Sequence, residues 1–474
     1  MKANFERQSV EMDELAKLDA VETAARIRAR DLSAAEVVGA AIQRARALDP
    51  VLNAIPARDY ERGLARADNP VAGPFSGVPT FIKDLDDVAG VVTSYGSRAH
   101  LGNVAKRTDR FIAKILDTGL VSLGKSSTSE FGLTGTTESS AHGPTRNPWK
   151  PTHSAGGSSG GAAALVAAGV VPIAQGSDGG GSIRIPASFC GLVGLKVSRE
   201  RRFTTAALDR LPLRVVTYGV MTRTVRDTAH FLAALDERVA SRRLARMPLV
   251  TGPSTKRLRM GLILETPTGI AIDPEVRACV IAAAERCARL GHTIEEIPCP
   301  FDGQSVEDFL LYWSLLACGT ILQTRLQRGR AFDIERMEPW TRDLAARFMS
   351  RRRGAFSAYK RLRSQSGIWA SLFANYDALI SPVATAPAPE LGRLGPDVEF
   401  ETAFERVRDY FLFTPMQNVT GDTAISLPLG ISENGLPLGV QFIAGQGHEA
   451  TLLGLAYELE GDGAFCATAP SAHC

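Results

Sequence analysis

The chain has 474 residues, 45% of them hydrophobic and 22% charged, with a formal net charge of +3 spread along its length. This is ordinary for a globular protein, long enough to bury a sizeable core, and large α/β enzymes often run to this length as one unit. It gives no electrostatic case for a nucleic-acid partner, which demands a clustered basic face; the one dense run, Arg351-Arg352-Arg353, reads as a solvated helix end.

The amino end, MKANFERQSVEMDELAK, lacks the apolar segment of a secretory signal. Over 19–49 apolar positions recur at helical spacing, and Ser33-Ala-Ala-Glu36 is a capping-box pattern, so two helices are expected to open the chain. VPTFI forms a short strand with Lys83 at its end, a helix follows at 110–117, and LVSL (120–123) is the next strand. The uncharged stretch 156–176 is rich in Gly and Ala and broken by Pro172, which reads as buried helix (162–168) plus strand (170–174), not a membrane span. Residues 191–197 suit another strand, and 259–265, 274–290 and 292–298 make a strand–helix–strand unit of an open α/β sheet. A buried strand at 377–381, a hairpin turning at Asn434-Gly435 and a last helix at 449–460 complete the order. Residues 199–250 and 300–360 are the least strand-like and are expected to be helices and loops around the sheet.

Seven cysteines, Cys190, Cys279, Cys287, Cys299, Cys318, Cys466 and Cys474, show no CxxC pairing and suit a reducing compartment, with the cytoplasm as the expected location. Cys190, in the apolar setting SFCG, reads as a small core residue. No His/Cys/Asp/Glu group has metal-ligand spacing, and no metal or cofactor is expected. Asn418-Val-Thr420 fits a glycosylation string that carries little weight without a secretion signal.

Three patterns compete for the chemistry. Residues 119–126, GLVSLGKS, match the P-loop string, but a strand fills the interval where a phosphate cradle needs a free loop. Gly156-Gly-Ser158-Ser-Gly160 fits the nucleophile elbow GxSxG, with His448 or His473 as partners; the two prolines of NPWKPTHSA oppose the central strand that such an elbow must follow. Asp178-Gly-Gly-Gly-Ser182 is the strongest. It places Ser182 just beyond a strand's carboxyl end, where the N–H groups of Gly179, Gly180, Gly181 and Ser182 can curl into an anion-binding nest. The plainer alternatives are a packing turn for the glycines and a surface ion pair with Asp84 for Lys83.

GVPTFIKD around Lys83, GGSSGG around Ser158 and GGSIR around Ser182 together resemble the amidase signature family of Ser/Ser/Lys hydrolases. The likeness is sharpest over 154–196 and runs from the opening helices to the NVTG and hairpin segments. It implies an α/β fold with a large central mixed sheet flanked by helices, as a single domain over 1–474. Within it lie opening helices at about 10–55, a signature core at about 75–200 and helical insertions at about 199–250 and 300–360. It further implies Lys83 as base, Ser158 as a bridging serine held by a cis peptide, and Ser182 as nucleophile. Asp178 and Arg184 then support the loop, and Ser159 either donates to Ser158 or starts a helix. Gly179 stands where the family commonly has threonine, which is expected to loosen the loop and widen the oxyanion site; Val197 and Thr423 replace frequent prolines.

The implied activity is cleavage of a C–N acyl bond, with amides as the default substrate. Anilides, oligoamides, carbamates (as in urethanases) and esters are the other classes, and the RNPW and QNVTG stretches stand nearer to aryl- and oligoamide-cleaving members. The expected partner is a small-molecule amide-type substrate, with no nucleic acid and no membrane; a homodimer is compatible with the sequence. One rival is the amidase subunit of a tRNA-dependent amidotransferase, a branch in which glutamine commonly follows GGSIR; here that residue is Ile185. Another is an idle binding protein, which the intact Lys83, Ser158 and Ser182 oppose.

Overall fold

The computed structural model describes residues 14–465, apart from 240 and 242. Helices Ala20–Ala29 and Ala34–Leu52 open it. The second is closed by the expected capping box: Ser33 Oγ accepts the Glu36 N–H at 3.1 Å and Glu36 Oε2 accepts the Ser33 N–H at 2.7 Å.

Three strands, β1 (Ala57–Arg58), β2 (Pro79–Lys83) and β3 (Val121–Ser126), form a small sheet in the order β1-β3-β2. β3 runs through Gly124-Lys125-Ser126, so the P-loop string is strand and holds no phosphate loop. A two-stranded ribbon, β4 (Glu138–Ser139) and β5 (Gly143–Pro144), follows. The main sheet comprises β6 (Ile173–Asp178), β7 (Val193–Lys196), β8 (Thr217–Thr222), β9 (Arg259–Leu262), β10 (Thr293–Glu296), β11 (Ala378–Pro382), β12 (Thr423–Ile431) and β13 (Pro437–Ala444). Its order is β10-β9-β11-β13-β12-β7-β8-β6, parallel among β10, β9 and β11 and antiparallel elsewhere, which makes it the large mixed sheet expected.

Strand alternation divides the core. Ile425, Leu427, Val440 and Phe442 pack on one face with helices Val225–Val239 and Glu449–Gly461. Ala424, Ile443 and Leu379 turn to the other, under helices Gly303–Arg328 and Ala355–Leu372. Helix Gly303–Arg328 has the length and apolar composition of a membrane span, yet Phe309, Leu310 and Ala317 lie buried in this second core.

Besides the extension of β3 to Ser126, two expectations for the main sheet change. Residues 199–250 are not only helix and loop, because their Thr217–Thr222 segment is the fully buried β8, paired between β7 and β6. The strand expected at 170–174 lies at 173–178, since Gln175, Ser177 and Asp178 find buried partners and so need not end it as loop residues. Arg351, Arg352 and Arg353 are exposed at the end of helix Pro339–Arg351, as read.

Candidate active site

β2 and β6 lie side by side at the junction of the two sheets, joined by side chains. Thr80 Oγ1 donates to the Ile173 carbonyl at 3.0 Å and the Lys83 N–H donates to Gln175 Oε1 at 2.8 Å. Residues 173, 175 and 177 share one face of β6 by the two-residue period of a strand, so Ser177 also meets Lys83. Lys83 Nζ is fully buried and lies 2.7 Å from Ser158 Oγ, 3.2 Å from Ser177 Oγ and 3.4 Å from the Ser177 carbonyl. Burial pulls the lysine pKa down to about 7, against the opposing fields of Asp86 and Asp178. Asp84 is not its partner: that carboxylate is buried and accepts from the N–H and Oγ–H of Ser94.

Asp86 was not singled out by the sequence. Its Oδ1 accepts from Tyr218 Oη–H at 2.6 Å and its Oδ2 from Gln175 Nε2–H at 3.1 Å, tying the second carboxylate of this loop to the strand that faces Lys83. Burial pushes its pKa up to about 6, opposed by the Tyr218 hydrogen bond and the Lys125 charge.

The Gly157–Ser158 peptide is cis. Gly157 must be glycine, because a Cβ there would come within 2.6 to 2.7 Å of the Thr136 backbone. Of the two roles expected of Ser159 the structure shows the second: it starts helix Gly160–Ala167 as its N-cap residue, without a side-chain cap bond, and its hydroxyl donates to the Ser177 carbonyl at 3.3 Å and not to Ser158. The Ser159 N–H donates to the Ser182 carbonyl at 3.3 Å, which ties the two serine loops together.

Ser182 follows β6 on the glycine loop. Gly181 adopts φ +126, and a Cβ on it would fall 2.3 Å from Thr414 Oγ1. The Gly181 N–H donates to Asp178 Oδ1 at 2.8 Å, whereas those of Gly179, Gly180 and Ser182 make no hydrogen bond among the described residues. Gly179 does not widen the loop. A Cβ there would lie 3.1 Å from Trp313 Cη2 and from Val216 Cγ2, so an aromatic ring and a methyl already fill the space that its lack of a side chain leaves.

Asp178 and Arg184 are fully buried and hold this loop from beneath, with Arg184 Nη2 and Nε donating to the two carboxylate oxygens at 2.8 and 3.0 Å. Burial alone would raise the Asp178 pKa, but the Arg184 guanidinium holds it well below the usual carboxylate range. Arg184 also donates to Gln417, Gln441 and Asn418, and Asn418 Nδ2 returns to Asp178 Oδ1 and its carbonyl at 2.9 Å. Asn418 is thus a buried strut and no glycosylation acceptor. Arg184→Met should destabilise the fold by about 3–5 kcal/mol in chemical denaturation, because it strands a buried carboxylate; a loss near zero would show the cluster to be incidental.

Ser182 lines an open cleft of about 720 Å³; Ser158 and Lys83 do not. Neither loop histidine joins the three: His142 Nε2 bonds Ser94 Oγ at 2.7 Å and His153 Nδ1 bonds Thr152 Oγ1 at 2.9 Å. His448 begins the last helix, and His473 lies outside the described residues. Among the described residues no group of three or more His, Cys, Asp or Glu is placed to hold a metal ion. Cys190 is buried, with its thiol pushed up by burial, so it is no nucleophile; Cys466 and Cys474 lie outside the described residues.

The amidase family model matches residues 36–453. The chain belongs to that family. It is a hydrolase of amide C–N bonds. A Mycobacterium tuberculosis (strain ATCC 25618 / H37Rv) protein named as an amidase, AmiC, is 43% identical over 454 residues, covering 94% of this chain and 95% of the relative. The 6-aminohexanoate-cyclic-dimer hydrolase of Paenarthrobacter ureafaciens is 35% identical over 94% of each chain. A solved structure of 6-aminohexanoate cyclic dimer hydrolase complexed with substrate superposes with a TM-score of 0.87 at 31% identity, over 97% of this chain and 99% of that one.

Proposed function

We propose that this amidase works through an acyl-enzyme on Ser182, with Ser158 and Lys83 as its proton relay. The observation that carries the reading is the buried contact of Lys83 with Ser158 at 2.7 Å, in a site where Ser182 alone of the three lines the cleft. A neutral amine keeps two N–H groups for Ser177 and turns its lone pair to the Ser158 hydroxyl. As Ser182 Oγ attacks the carbonyl carbon, its proton passes to Ser158 and that of Ser158 to Lys83. The free N–H groups of Gly179, Gly180 and Ser182 receive the oxyanion, while Gly181, tied to Asp178, shapes the loop. The proton returns by the same route to the amide nitrogen, the C–N bond breaks, and water repeats the attack to free Ser182.

The amidotransferase reading has no support in the cleft, where Ile185 presents an apolar side chain. Carbamates and esters fit the same chemistry as amides. The free thiols among the described cysteines suit the cytoplasm.

The pH profile tests the relay. Only neutral Lys83 is a base, so kcat/KM on an amide should climb as pH rises through about 7. Replacing His142, His153 or His448 singly should leave that acidic limb in place, and its disappearance in any of them would end the lysine assignment. Asp86→Asn should move the limb to lower pH. The carboxylate's charge favours the protonated lysine, as does that of Asp178, so its removal eases deprotonation. A limb that moves to higher pH would mean that Asp86 acts on the base in some other way.

A further inference from the structure

We infer that the cleft selects an uncharged amide whose aryl or alkyl body fills the space beside Phe309, Trp313 and Trp340, and that it rejects amides bearing a carboxylate or ammonium near the scissile bond. This rests on Ser182 as the attacking group, and it names the substrate class of that same site.

The cleft's walls come from the helical insertion at 300–360, from helix Phe400–Tyr410 and from the segments 132–135 and 411–416. Phe309 and Trp313, one turn apart on helix Gly303–Arg328, stack with ring centroids 5.5 Å apart and planes inclined by 27°. They stand directly on the nucleophile's loop, since a Cβ on Gly180 would meet Phe309 Cζ at 3.1 Å just as one on Gly179 would meet Trp313. Two glycines in succession therefore let an aromatic wall reach the loop where the carbonyl must sit.

The indole N–H groups of these walls are already engaged, and the neutral Thr134 hydroxyl is the one lining side-chain group that is buried without a partner among the described residues. Trp313 Nε1–H and Trp340 Nε1–H both donate to the Leu133 carbonyl, at 2.9 and 3.1 Å, which leaves the indoles only apolar faces and edges to offer. Arg408 is the one charged residue lining the cleft among the described residues, and its Nε donates to Asp409 Oδ1 at 2.7 Å. Among the described residues no acidic side chain lines the cleft to pair with a substrate ammonium. An ammonium entering it would meet no counter-ion and a carboxylate would meet only Arg408, whose charge is already paired with Asp409, so either would lose water without full compensation, whereas an aryl or alkyl group gains burial. Glutamine, which carries both an ammonium and a carboxylate, is therefore the wrong kind of amide for this site.

The test is kcat/KM for matched nitroanilides, with hexanoyl and phenylacetyl acyl groups set against succinyl and against unblocked aminoacyl groups. Acyl-enzyme on Ser182 is followed by intact mass in the same samples. The uncharged pair should exceed either charged class by about tenfold or more. Equal rates, with the acyl group found on Ser182, would overturn the selectivity while leaving the nucleophile standing. Turnover with no adduct on Ser182 and no effect of Ser182→Ala would instead overturn the nucleophile. Trp313→Ala should reduce the preference several-fold, and Trp313→Phe, which keeps a ring, should retain most of it. A preference untouched by both variants would move the selection away from this wall.

Discussion

Ser182→Ala is expected to lower kcat by roughly 10³-fold or more and to abolish acyl-enzyme formation, because no other hydroxyl of the Ser/Ser/Lys set reaches the cleft. The proposed oxyanion donors are backbone N–H groups and survive the change, so substrate should still bind and KM should move far less than kcat. The loop itself should hold, since Asp178 and Arg184 fix it through the Gly181 N–H and the carboxylate–guanidinium pair, neither of which involves the Ser182 side chain. Rapid-mixing measurements on an amide should show a burst or an accumulating adduct in the native enzyme and neither in the variant. Retention of more than about a tenth of native kcat would remove Ser182 from the chemistry.

Lys83→Ala should injure amide cleavage more than cleavage of an activated ester with the same acyl group. An amide nitrogen leaves only when protonated, so the relay is needed twice, first as base and then as acid. A nitrophenyl ester expels a stable anion and needs only the first step. The amide-to-ester ratio of kcat/KM should therefore fall by about tenfold or more, within the ~10²–10⁴-fold that positioned acid–base groups usually contribute. The measurement is kcat/KM for a matched anilide and ester in both proteins, with circular dichroism to confirm the fold. An unchanged ratio would mean that Lys83 does not deliver the leaving-group proton.

The positions of Lys83, Ser158 and Ser182 were readable in the chain because glycine-flanked serines and a lysine closing an apolar strand announce themselves over a few residues. The groups that surround them did not. Ser177, Gln175, Asp86 and Tyr218 meet only where β2 lies against β6, and β6 in turn beside β8. A strict two-residue reading of β6 would have turned Gln175 and Ser177 toward Lys83. Asn418, Gln417 and Gln441 reach Arg184 across more than two hundred residues, so no local pattern reveals them. β8 was taken for part of an insertion because its neighbours in sequence are turns and loops; only pairing on both sides makes it a strand. Gly179 misled for a related reason. Its missing side chain read as empty space, but packing brought Trp313 from a distant helix to fill it.

The relay stands or falls on which serine becomes acylated. Treatment of the native enzyme with a serine-directed fluorophosphonate, followed by proteolysis and peptide mass mapping, should place a single adduct on Ser182 and lose it in Ser182→Ala. An adduct on Ser158 that persists in Ser182→Ala and vanishes in Ser158→Ala would make Ser158 the nucleophile and contradict the relay.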